Sequence, residues 1–403
     1  MLDNNELWAV SIASGIRSIG FGATWPFMAL FFNIDLGVPV YVVGIIFTLL
    51  SVGSIIFSLL GGGLSDFIGR KKTLLIGSTI SSILFISVAL NLYIGASVLI
   101  IVTLFILTSI GGALVFPSAS AIVADVTAES ERMNGYVLYR IMSNLGWAIG
   151  PLTGSLIINL GIFWIFVLVA ACSVIQGLIV KIFIRDRWKE RKTRDGTKGE
   201  MHVLVYDRYL LAFTIGTFFV TLVSSQFTVT LPVYSNLQVG IPENMMGYIY
   251  AVNGTVVVLG QYPITNFMKR YPEMVSLIAG TIAYSLGYFL VSLSSNLPDL
   301  MLDMLIITIG ENLVSPVMNS IVSKIAPENK VGRYLGFMGT VNSAGRAIGP
   351  SIGSFFLSVY AFRGLYVWSS VDLFGVLAII AFAIFVRMGR NKSELKKKVD
   401  YIS

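Results

Sequence analysis

The chain has 403 residues but one cysteine, Cys172, one histidine, His202, and charge on only 12% of its positions. A lone cysteine inside an apolar run excludes a disulfide framework and a cysteine-based metal site, and no metal or organic cofactor is expected. The lone histidine falls in the most charged stretch, where solvation is a better account than catalysis. Soluble domains are charged at about a quarter of their residues. With 55% hydrophobic residues and a mean hydropathy of +0.82, this chain reads as a polytopic membrane protein. The first apolar run begins near Leu7 with no basic region before it and no small-residue cleavage site after it, so it is expected to be a retained span. Acids are fewer than bases, giving a net charge of +7, which points to nucleic acid unless the charge proves to be spread out.

What is present is a series of continuous apolar runs, each near the about 20 residues a helix needs to cross a bilayer. They predict spans at 8–33, 42–62, 73–93, 97–123, 135–159 and 163–184, then 208–235, 244–267, 274–294, 298–322, 333–358 and 364–386. The runs do not alternate, which disfavours a closed β-barrel. The expected fold is all-α, with two six-helix bundles at 1–184 and 208–386, a linker at 185–207 and a tail at 387–403. Arg17, Arg140 and Arg346 fall inside spans and Arg363 in the last odd-numbered loop. The other basic residues lie in even-numbered loops, at span ends beside them, or in the tail. Both termini are therefore expected on the cytoplasmic side of the cell membrane. Basic charge spread along one membrane face removes the case for nucleic-acid binding. The Lys396-Lys397-Lys398 tail fits anionic headgroups.

The halves repeat. Asn144-Leu-Gly-Trp-Ala-Ile-Gly-Pro-Leu-Thr-Gly-Ser155 recurs as Ser343-Ala-Gly-Arg-Ala-Ile-Gly-Pro-Ser-Ile-Gly-Ser354, an interval of 199 residues. Gly146, Gly150 and Gly154, and likewise Gly345, Gly349 and Gly353, advance by about 40° per step on a helix and form one narrow stripe. Pro151 and Pro350 free a carbonyl and are expected to bend their helices. Plain helix packing accounts for the glycines alone.

Between spans two and three stands Gly61-Gly-Gly-Leu-Ser-Asp66-Phe-Ile-Gly69-Arg70-Lys71-Lys72. With its Gly62, Asp66, Gly69 and Arg70, this stretch resembles the loop signature of the major facilitator superfamily. The glycine-proline stretch of span five resembles the antiporter signature of that superfamily's drug:proton branch. The resemblance implies twelve helices, alternating access, and a latch in which Asp66 sits against span eleven and Arg70 pairs with an acid, Asp125, at the end of span four. The second half, lacking the acid in its equivalent stretch, would make the latch lopsided. The resemblance departs in span four, where Leu107 and Thr108 precede Gly111-Gly112 and many drug exporters carry an arginine.

Charges inside spans are the sharpest functional clues, since each costs at least about 2.5 kcal/mol at mid-membrane and normally faces a cavity or a partner. Glu311, the only deep acid, is the expected proton carrier, with Asp372 and Asp303, nearer the outer face, as weaker candidates; a permanent Glu–Arg pair holding helices together is the competing account. Arg17, Trp25, Arg140, Asn144, Trp147, Gln226, Glu311, Ser315, Asn342 and Arg346 are candidates for the substrate cavity, with Phe27, Tyr234 and Tyr250 as weaker aromatic ones. Three arginines against one glutamate favour an anionic or neutral substrate. The expected function is proton-coupled efflux of amphipathic small molecules by a monomer in the lipid bilayer. An organic-anion or metabolite carrier using the arginines is the alternative, and a non-transporting sensor a further one. An enzyme would need an intramembrane nucleophile or acid–base pair that this sequence lacks.

Overall fold

The computed structural model describes residues 4–128, 131–186, 207–327 and 330–400. His202 and most of the linker lie outside the described residues, as do the side chains of the Lys396-Lys397-Lys398 tail. The chain runs through α1 (Asn5–Leu30), α2 (Val40–Ile68), α3 (Arg70–Tyr93), α4 (Val98–Val126), α5 (Arg132–Ile157) and α6 (Ile162–Phe183). It continues through α7 (Arg208–Ser224), α8 (Thr230–Leu237), α9 (Glu243–Met268), α10 (Glu273–Val291), α11 (Leu297–Ile325), α12 (Val331–Val359) and α13 (Gly364–Asp400).

Among the described residues, nine helical segments are long and apolar enough to cross a membrane, α7 and α8 counting together. The others, α1, α9 and α12, are equally long but carry more polar positions, Arg17, Asn253, Gln261 and Asn342 among them. Expected span seven is two helices rather than one. The break is a tight turn at Ser225–Phe227, and Pro232 follows in the first turn of α8, where its missing N–H costs no intrahelical bond. The hydroxyls of Thr221, Ser224 and Ser225 bond back to their own turn, and Tyr288 Oη donates to Ser224 O at 3.2 Å. The last helix continues to Asp400, well past the expected 386, through a run of lysines, leucine and glutamate that favours helix.

The described residues fall into two compact units. One comprises those within 1–193 and 228–258, the other those within 194–227 and 259–403. The linker-based division would place 228–258 with the second half; by packing they belong with the first. In the first unit α8 packs on α1, and Gly247 N of α9 donates to Ser155 Oγ of α5 at 2.8 Å. An aliphatic core there joins Leu7, Val10, Leu74, Val115, Ile122 and Val180. A chain of ring contacts links Phe21, Phe85, Phe166, Phe31, Phe32 and Phe105. Cys172 is buried on α6 against Gly20 of α1. In the second unit Trp368 stacks on Tyr288, and Phe213 meets Phe382 and Phe385.

The glycine stripe is a packing surface. A Cβ on Gly146 would stand 2.3 Å from Gly15 O, on Gly150 2.7 Å from Gly22 Cα, and on Gly154 2.3 Å from Ala23 O. On α12 a Cβ at Gly345 would stand 3.0 Å from Thr221 Cβ, and one at Gly349 1.7 Å from Ser225 Oγ, so the stripe meets α7 there as it meets α1 in the first unit. Helices α5 and α12 run unbroken through Pro151 and Pro350.

The internal repeat has two intervals, not one. From α4 onward it is 199. In the first three helices it is 203: Asn4 and Asp207 cap α1 and α7, Asn33 donates to Val38 O as Asn236 does to Ile241 O (both 2.9 Å), and Gly77 meets Gly111 O as Gly280 meets Gly310 O. The four-residue difference arises because α10 ends about a turn earlier than α3.

Candidate functional site

Three helices of the first unit present one face each to a common space. On α1 the face is Ser14, Arg17, Phe21, Thr24 and Trp25; on α4 Phe105, Thr108, Gly112 and Val115; on α5 Tyr139, Ser143 and Trp147. These spacings of three and four keep each set on one side of its helix. With Phe85 and Gln176 they enclose a cavity of about 430 Å³, mostly aromatic and aliphatic, studded with hydroxyls and lined by no carboxylate among the described residues.

Arg17 is the only charged residue among the described ones that line the cavity. Its Nη1 lies 3.5 Å from Ser81 Oγ and from Gln176 Oε1, long contacts for hydrogen bonds, and its guanidinium carbon stands 4.4 Å above the Phe21 ring. Nε and Nη2 make no hydrogen bond, and no carboxylate among the described residues pairs with it. Across the cavity wall, Arg17 Nη2 is the one atom within 4 Å of where a Gly112 side chain would begin, at 3.5 Å. Gln176 is fully buried; its Oε1 also accepts from Ser78 Oγ at 3.1 Å, and its Nε2 has no acceptor.

Of the expected cavity residues, Arg17, Trp25 and Trp147 meet here. Arg140 and Arg346 are not part of this lining; both have exposed side chains by surface area, and Arg346 Nη2 donates to Ser343 Oγ at 3.1 Å. Asn144 is half-buried on α5 outside the cavity lining. Phe27, Tyr234 and Tyr250 are core residues. Gln226 ties the α7 break to α12, donating to Leu222 O at 2.8 Å and Gly349 O at 3.1 Å. Asn342 is buried with Oδ1 unmatched, and Ser315 is half-buried on α11 one turn after Glu311. Gly112, Ser81 and Gln176 were missed. Their signal is weak in a single sequence, because a glycine or serine on an apolar helix looks like packing.

In the second unit Glu311 is half-buried and acts electrostatically on Tyr284 and Tyr288. Its position is the repeat partner of Gly112, whereas Ser81, Phe85 and Arg17 correspond to Tyr284, Tyr288 and Val220.

At the turn between α2 and α3, Gly69 has φ +96°, a left-handed setting that suits glycine and little else. It starts α3 so that Arg70 forms an ion pair with Asp125 at the end of α4 and donates to Ala121 O at 2.8 Å. Lys71 Nζ caps α6 through Lys181 O and Ile184 O. Gly62 and Asp66 lie in α2, outside the residues whose side chains are described. The lopsided latch needs correction: Lys324 Nζ pairs with Glu273 Oε1 at 2.8 Å, and Ser320 Oγ donates to the same oxygen. Glu273 is the repeat partner of Arg70, and Lys324 of Asp125. The second half keeps the pair and reverses its sign.

Outside the spans, burial raises the pKa of the Asp35 carboxyl above its ordinary value. Burial raises that of Glu243 too, with a further push from the charge of Asp35.

A family model described as the Major Facilitator Superfamily matches residues 10–350 and 277–400. The chain is 24% identical to a Na(+), Li(+), K(+)/H(+) antiporter of Planococcus maritimus, covering 86% of this chain and 88% of the relative. It is 23% identical to the quinolone resistance protein NorA of Staphylococcus aureus (strain MSSA476), covering 94% and 96%. The crystal structure of the nucleoside transporter NupG superposes with a TM-score of 0.79 at 14% identity, over 95% of this chain and 99% of that one.

Proposed function

The chain belongs to the Major Facilitator Superfamily, and from that premise we propose that it is a proton-coupled exporter of amphipathic small molecules working by alternating access. It is a membrane transporter and not an enzyme. The observation that carries the proposal is the cavity of the first unit. Its wall of Phe21, Trp25, Phe85 and Phe105 offers apolar and ring contacts to a drug-sized body, and its scattered serines and threonines offer adaptable hydrogen bonds. Glu311, set on a helix with Tyr284 and Tyr288 near it, is the proton carrier. A change of access that opens this carboxyl to water on one side and then the other can load and release a proton. The name of the antiporter supports coupling to protons, and that of the quinolone resistance protein NorA supports a drug-like substrate. Both termini face the cytoplasm in this reading.

Flux in proteoliposomes tests it. An imposed pH gradient should drive movement of an amphipathic dye, and Glu311→Gln should reduce that driven flux by at least about tenfold while sparing dye-for-dye exchange. Undiminished gradient-driven flux in the variant would remove Glu311 from the mechanism.

A further inference from the structure

We propose that the cavity around Arg17 selects aromatic monoanions, a ring system bearing one carboxylate. The inference rests on reading this cavity as the substrate site. A guanidinium kept inside a bundle at considerable cost normally has a partner. Among the described residues Arg17 has no anionic one: no described lining residue is acidic, and its two polar contacts both use Nη1. The Nε–Nη2 edge is left free, and that edge presents two parallel donors matched to the two oxygens of a carboxylate. Gly112 leaves that side of the guanidinium without a facing side chain.

A second, independent group agrees. Gln176 is fully buried, and its orientation is set by its neighbours. Turning the amide over would aim Nε2 at the Arg17 guanidinium, donor against donor. Nε2 is therefore a donor without an acceptor, beside a cation without an anion. Both deficits are for acceptor oxygens, which a carboxylate supplies and an ammonium cannot. The ring belongs to the rest of the wall: Phe21, already under the guanidinium, meets Phe85 edge-on at 5.7 Å, and Trp25 meets Phe47 at 5.4 Å. A single positive pole among apolar walls favours one negative charge, since a second would be buried unpaired.

The test is calorimetric binding to the full chain in lipid nanodiscs, with naphthoate, naphthamide and naphthylmethylamine as probes sharing one ring system. Naphthoate should bind at least about tenfold tighter than the amide, and the amine should be weakest. Arg17→Gln should bring the three within about twofold, and Arg17→Lys, which keeps the charge but not the fork, should leave an intermediate preference. Equal affinities for the three probes in the wild-type chain would overturn the proposal without any variant, as would a full preference surviving in Arg17→Gln or Arg17→Lys. Naphthoate selectivity without gradient-driven flux would uphold this inference while overturning proton-coupled export. Gradient-driven dye flux without naphthoate selectivity would overturn this inference alone.

Discussion

The two halves share a frame and differ in where they put charge. In the first unit the arginine is on α1 and its α4 neighbour is Gly112; in the second, the α11 partner of Gly112 is Glu311 and the α7 partner of Arg17 is Val220. The surrounding positions follow suit, Ser81 and Phe85 giving way to Tyr284 and Tyr288. The Arg70–Asp125 and Glu273–Lys324 pairs show the same freedom at the helix ends, with the contact kept and its polarity reversed. Duplication here preserved geometry and left sign negotiable. Each half thus carries an ionisable group at a position where its counterpart carries none, Arg17 against Val220 and Glu311 against Gly112.

The strongest way to break this contrast is to give the first unit the acid of the second. Gly112→Glu places a carboxylate beside Arg17 Nη2, where a Cβ meets only ordinary van der Waals contact. Naphthoate affinity should fall by at least about tenfold as the guanidinium acquires an internal partner, read by the same calorimetry. Retained affinity would mean that the anion does not sit against Arg17.

A smaller effect is expected at the helix ends. Arg70 and Asp125 are partly exposed, 22% and 37%, so Arg70→Glu or Asp125→Lys alone should cost only about 1 kcal/mol in thermal-unfolding comparisons. The double reversal copies the polarity of the second unit and should regain most of that loss. Failure to regain it would show that the Arg70 bond to Ala121 O, rather than the charge pair, carries the contact.

The smallest concerns Asp35 and Glu243. A carboxyl whose pKa is raised by folding holds its proton in the folded chain at a pH where the unfolded chain has lost it. Stability from this source is therefore lost as pH rises through the interval above the ordinary carboxylate value. Relative to Asp35→Asn, the wild-type melting temperature should drop by about 2 °C or less between about pH 5 and about pH 7. A parallel pH dependence in the two chains would show that this pair does not titrate there.

Much of this was legible beforehand. Helix positions and the duplication followed from apolar length and repeated glycines, and the Arg70–Asp125 pair from the resemblance of the loop between spans two and three to the superfamily's signature. Other features were hidden for physical reasons. Arg140 and Arg346 do not join Arg17 in the first unit's cavity, because periodicity states which residues share a face but not what that face meets. The second interval of 203 was hidden because the glycine-proline stretch lies wholly within the part that repeats at 199. Once that stretch was aligned, the exchange of Gly112 for Glu311 was already readable. Only the geometry of Arg17 gave it meaning.

Cys172, wedged between α1 and α6 and screened from solvent, is also the chain's only thiol. The native protein therefore offers a quiet background for spectroscopy: a cysteine introduced at an exposed position can take a spin or fluorescent label with little competition. Paired labels, one on each unit, can then show whether the two units move against one another without any prior stripping of native residues.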